Sequence, residues 1–168
     1  MKKNHGLRAG IGIGILLSAA IAIATQAGLL DGIFKKSPAD AAKSAGVSET
    51  EDQVKIPLTA LASGKVLFLE TEFDGRKLYY FALRGSDGAY RAALDACDVC
   101  FGKNRGYRQE GDLVVCNNCG QTFPSDRIGE IKGGCNPHPL ARRVDGGFLV
   151  IEKGDIRAGK DYFPGKRV

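Results

Sequence analysis

Residues 97–120, CDVCFGKNRGYRQEGDLVVCNNCG, carry two Cys-x-x-Cys pairs with fifteen residues between them, and a fifth cysteine follows in 132–140, KGGCNPHPL. Two residues between cysteines let both sulfurs face one point while the backbone turns around it. Two such pairs supply four soft ligands in a tetrahedron, the donor set of zinc or iron. Cys97, Cys100, Cys116 and Cys119 are therefore the candidate ligands. Gly120 suits the left-handed turn after the second pair, whereas Phe101 stands at the matching place after the first. Cys135, between Gly133-Gly134 and Asn136-Pro137, sits in a loop suited to holding a thiol over the metal as an accessory ligand, or else is a buried or paired thiol. His138 reads as a loop histidine, and Asp95 and Asp98 as solvated turn residues.

Outward from the pairs the pattern is that of strands. Runs at 66–73, 77–83 and 89–94 read as strands and are punctuated by Asp74-Gly75 and Asp87-Gly88, both hairpin signals. A further hairpin turns at 110–112 and would bring the two cysteine pairs together. A last strand at 147–152 precedes KGDIRAGKDYF, which suits one or two helical turns. No segment has the length of an amphipathic helix and no repeat is present. The expected fold is mainly β, a small domain over 54–168 with a zinc-ribbon or rubredoxin-like four-cysteine centre.

The chain has 168 residues and a formal net charge of +5. Lys2, Lys3, Arg8, Lys35 and Lys36 against Asp31 place +4 of that before residue 37. The body is nearly neutral and lacks the basic patch of a nucleic-acid binder. Residues 9–30 are free of charge and long enough to span a bilayer as a helix. A cleaved export signal is the rival reading of the segment 1–36. The basic residues ahead of the apolar run favour a cytoplasmic N-terminus and an extracytoplasmic C-terminal domain, hence a single-pass inner-membrane protein. Gly6, Gly10 and Gly14 would let two such helices approach as a homodimer. Residues 37–53, polar and without apolar period, read as a flexible linker.

Export makes disulfides the rival of metal, and an odd cysteine would then be left over. A body of this size does not need staples to fold, which favours metal. A thioredoxin-like dithiol would want a helix after the pair. Haem attachment fails because Phe101 and Gly120 stand where histidine is needed. A blue-copper site fails because the domain has one histidine and no methionine.

The stretches DGRKLYYFALRGSDGAYRAALDACDVC, GYRQEGDLVVCNNCGQTFP, IGEIKGGCNPHPL and IRAGKDYF resemble the FtrD-like family of bacterial membrane proteins, from about residue 54 to 163. The resemblance implies iron or an iron–sulfur cluster as cofactor, with zinc the alternative that spacing alone allows. It implies a place beside a bacterial iron-uptake system, with a membrane permease or redox partner. Cys97, Cys100, Cys116 and Cys119 match the family's paired cysteines and Cys135 its Gly-Gly-Cys-Asn-Pro. The function expected is transfer of electrons or metal rather than catalysis. A structural zinc-ribbon module docking onto a permease, or a thiol–disulfide oxidoreductase, are the alternatives.

Overall fold

A central hairpin organises the molecule. In the computed structural model, which describes residues 37–165 and 167, strand β3 (Leu67–Phe73) pairs antiparallel with β4 (Arg76–Arg84). Phe73 faces Arg76 across a two-residue turn, and both turn residues, Asp74 and Gly75, have positive φ of 52° and 73°. That geometry matches the twist of the flanking strands and is why Asp-Gly is favoured there. β4 then pairs with β5 (Tyr90–Leu94). The second Asp-Gly does not form a two-residue turn: the loop runs 85–89, closed by Gly85 N donating to the Ala89 carbonyl at 2.8 Å. Arg91, itself buried, reaches back to Asp87 at 2.7 Å and holds the longer loop.

This three-stranded sheet is a wall with an apolar cluster on each face. Successive side chains of a strand point to opposite faces. Leu78, Tyr80 and Ala82 of β4 with Ala92 and Leu94 of β5 enter one cluster. Phe81 and Leu83 with Ala93 enter the other, which also contains Cys97, Cys116 and Tyr107. The first cluster is closed by a four-stranded antiparallel sheet in the order β1 (Ser48–Glu49), β2 (Gln53–Pro57), β10 (Phe148–Glu152), β9 (Arg143–Asp145). Ile156 of helix α2 (Lys153–Ala158) and Phe163 after the 3-10 turn Lys160–Tyr162 fill its end. The second cluster is closed by β6 (Tyr107–Glu110), β7 (Leu113–Cys116) and β8 (Thr122–Pro124), also antiparallel.

The mainly β expectation holds, in three small sheets. The strands expected at 66–73, 77–83 and 89–94 are β3, β4 and β5 to within a residue. The short helical segment after the last strand is also present. Within 37–53, expected as a linker, helix α1 (Pro38–Ser44) forms. Ser37 caps it, accepting from Asp40 N at 3.2 Å, with proline at the first helical position. α1 has no buried residue, but Ala42 and the following Val47 lean on the first cluster. Its signal is a cap and two side chains, too little for an apolar period to register. The membrane helix expected at 9–30 and its glycine face lie outside the described residues. Among those that are described, no helix is long and apolar enough to cross a membrane.

Two glycines of the C-terminal segment test this packing with opposite signs. A Cβ at Gly159 would lie 2.2 Å from Leu94 Cδ1, and Leu94 is fully buried, whereas a Cβ at Gly154 in α2 meets nothing within 4 Å. Gly159→Ala is expected to lower the unfolding free energy by about 1–3 kcal/mol through overpacking. Gly154→Ala is expected to raise it by about 0.5–1 kcal/mol through helix propensity. Urea titration of both variants checks the pair, and equal effects would contradict the contact.

Candidate metal centre

Three loops deliver five thiols to one end of the second cluster. The first leaves β5: Cys97 is buried and Cys100 half-buried, and the Cys100 amide donates to Cys97 Sγ at 3.2 Å. Phe101 replaces the glycine of an ideal turn, and the chain instead continues through the 3-10 turn Phe101–Lys103 to Asn104, which takes the left-handed conformation with φ of 49°. Asparagine tolerates that region. Its side-chain amide is held by the Gly165 carbonyl at 2.8 Å, so the terminal segment braces the loop.

The second loop leaves β7. Cys116 ends that strand opposite Tyr107, so the β6–β7 hairpin carries the second pair back to the first, as its turn signal implied. Gly120, with φ of 76°, donates to the Cys116 carbonyl at 2.9 Å, and Cys116 N donates to the Gln121 carbonyl. Cys116 is buried and Cys119 exposed. The Asn118 amide side chain spans the two pairs, donating to Cys100 Sγ at 3.3 Å.

The third loop carries Cys135. Gly133 and Gly134 both have positive φ, 103° and 62°, a path closed to residues with a Cβ except at a cost. Tyr107, its ring between Phe81 and Phe123, donates its hydroxyl to the Cys135 carbonyl at 2.6 Å. Beyond Cys135 the chain joins the edge of β5: His138 N donates to Ala96 O at 3.0 Å, Leu94 N to His138 O at 2.8 Å, and Pro139 bridges Ala93.

The sulfurs converge. Those of Cys97, Cys100 and Cys135 lie within 4.8 Å of one another, as do those of Cys100, Cys116 and Cys119. Cys135 Sγ is 3.9 Å from Cys100 Sγ and 3.7 Å from Cys119 Sγ. Cys135 is therefore in the same cluster as the paired thiols, and the cysteines are free rather than disulfide-linked. The chain's residues 61–163 match the family model described as "Membrane iron-sulfur containing protein FtrD-like".

The chain belongs to the FtrD-like family. That match covers more than half of its length. No curated protein matches it. A solved structure of the quaternary ammonium Rieske monooxygenase CntA with an inhibitor is 18% identical over 50% of this chain and 26% of its own, with a TM-score of 0.33, an overlap too slight to carry an argument. The chain thus spans about a quarter of that protein.

The thiols of this FtrD-like domain fit a metal. Sulfurs bound at about 2.3 Å to one tetrahedral ion stand about 3.8 Å apart, the spacing found around Cys135. Their ionisation makes the same point. The Gln121 amide, then the neighbouring thiols, hold Cys119 below the ordinary thiol range. Burial, with the adjoining thiols adding to it, pushes Cys116 up to about 11 and drives Cys135 higher still. Five crowded sulfurs cannot all be anionic without a cation among them, and a cation reverses that penalty.

Around the thiols lie residues that sequence reading undervalued. Asp95 is buried, accepts from the Tyr107 amide at 2.7 Å and pairs with Arg167, whose guanidinium also covers the Tyr79 ring. Asp98 accepts from the Tyr162 hydroxyl at 2.6 Å, and that hydroxyl is 2.8 Å from His138 Nδ1. His138 is thus tied to the centre's rim, and Tyr162, 62 residues beyond Cys100, carried no local signal for this.

Tyr107→Phe keeps the ring and removes only the clamp on the Cys135 loop. It is expected to cost about 1 kcal/mol of stability and to quicken alkylation of Cys135 in the metal-free protein. Mass spectrometry of the modified peptide checks this; an unchanged rate would show that the hydroxyl does not hold the loop.

Proposed function

We propose that the five-thiol cluster holds iron, as a mononuclear or clustered thiolate centre, and that the domain passes electrons or metal to a bacterial iron-uptake system through a membrane permease or redox partner. The observation that carries this is the convergence of Cys97, Cys100, Cys116, Cys119 and Cys135, with Cys135 at metal–thiolate spacing from both pairs. Family membership supports iron over zinc. The bound group would supply a one-electron couple, and the chain's residues set its surroundings. Cys97 and Cys116 anchor it against the apolar cluster. The Asn118 amide and the Cys100 backbone N–H temper the charge on sulfur. Cys119 is the exposed ligand and offers the shortest way out to a partner.

Zinc serving only the fold is the second reading, because the same sulfur spacing suits a closed tetrahedral zinc site. Colour separates the two. Protein purified without oxygen is expected to carry iron and absorb in the visible, and Cys116→Ser to lose metal and lower the thermal midpoint together, since binding and folding are coupled. Cys135→Ser is expected to fold and to change the spectrum or reduction potential. A colourless zinc protein would select the structural reading, and metal-free protein with two stable disulfides would end both.

The domain is placed outside the cytoplasm, tethered by the apolar run 9–30 as a retained single-pass anchor, on the charge asymmetry around that run. A C-terminal reporter that needs export is expected to be active. Activity of a reporter that works only in the cytoplasm would reverse the topology.

A further inference from the structure

Against the thiol cluster stands a group of three donors of a different kind. Asp98 lies within the first cysteine turn, His138 follows the Cys135 loop, and Tyr162 ends the 3-10 turn Lys160–Tyr162. The phenol oxygen is 2.6 Å from Asp98 Oδ1 and 2.8 Å from His138 Nδ1, and those two atoms are 3.6 Å apart. Adjacent ligands on a six-coordinate ion with oxygen and nitrogen bonds of about 2.1 Å stand about 3 Å apart, a spacing these edges straddle.

The triangle is fixed from behind. The His138 backbone is held on both sides by the β5 edge, through Ala96 O and Leu94 N. Its ring lies 4.7 Å from that of Tyr162, and Phe101 meets Tyr162 edge-on at 5.8 Å. It is open in front, where the Asp98 side chain is 38% exposed, which leaves room for water or a delivered ligand on the remaining positions. When the imidazole carries its proton on Nε2, the three atoms share one hydrogen, that of the Tyr162 hydroxyl, among an anion and two lone-pair donors. A cation satisfies all three at once.

We propose that Asp98, His138 and Tyr162 form a second metal site, separate from the thiols, that takes a hard cation of high charge, ferric iron foremost. Carboxylate and phenolate are hard oxygen donors, unlike the soft sulfurs beside them, so the two sites sort metals by chemistry. On binding, the Tyr162 O–H bond is replaced by an O–Fe bond and its proton leaves to solvent. No electron moves. Carboxylate and phenolate together offset two of the ion's three charges, and neutral imidazole and water complete its shell. This site does not depend on which metal the thiols hold.

The test uses the full chain with its thiols filled by one equivalent of zinc, which is colourless and protects them from oxidation. Ferric iron is then added as its nitrilotriacetate chelate. One further metal per chain and a visible phenolate-to-iron absorption band are expected. Tyr162→Phe should abolish the band, and Asp98→Asn and His138→Gln should each raise the half-saturating iron concentration at least tenfold. No band in the wild-type protein at saturating iron, or a band that survives Tyr162→Phe, overturns the site. If Tyr162→Phe does not fold, the wild-type band and its weakening in Asp98→Asn decide the matter. A chain that takes up no zinc refutes the thiolate reading alone, because the Tyr162 band is read independently of it.

Discussion

Mutual repulsion among five sulfurs is the constraint on which the cysteine end of this domain depends. Burial, with the adjoining thiols adding to it, holds Cys116 and Cys135 above the ordinary thiol range, so the five cannot all ionise without a cation among them. A cation turns the same crowding into attraction, so the loops bearing the thiols are stabilised together or loosened together. The apolar cluster beneath them contains two of those cysteines, which ties the centre to the fold rather than leaving it an appendage.

The β3–β4–β5 wall makes this possible. One face of the wall seals an apolar core with β2, β10, α2 and Phe163 that contains none of the cysteines. The other carries the cysteine cluster. Each thiol-bearing loop is attached to this wall or to the hairpin packed on it. Cys97 follows β5 directly, Cys116 ends β7, and the Cys135 loop is stitched to the β5 edge through His138 and Pro139. Tyr107 joins the last two, pairing with Cys116 in the sheet and holding the Cys135 carbonyl with its hydroxyl.

The C-terminal segment closes the arrangement. Arg167 neutralises the otherwise costly buried Asp95, and the Gly165 carbonyl receives Asn104 behind the first cysteine turn. Tyr162 reaches the opposite rim, where Asp98 and His138 meet it. Soft donors inside and hard donors at the rim give the two sides of the centre different chemical preferences.

The sequence by itself determined β3, β4, β5 and β10, the β3–β4 and β6–β7 hairpins and the paired cysteines, because each rests on local chemistry. Alternating apolar residues, an Asp-Gly turn with both φ values positive, and two-residue cysteine spacing act within a few residues of one another. What only the tertiary structure decided is what depends on contacts between distant segments. That Cys135 stands with the paired thiols, that α1 leans on the core through Ala42 and Val47, and that Asp98, His138 and Tyr162 meet at one point follow from how three loops and a terminal segment dock on the same wall. No residue near Tyr162 in the chain encodes its neighbours, since the partners are chosen by the packing of Phe163 and Ile156 into the core, which sets where that turn comes to rest.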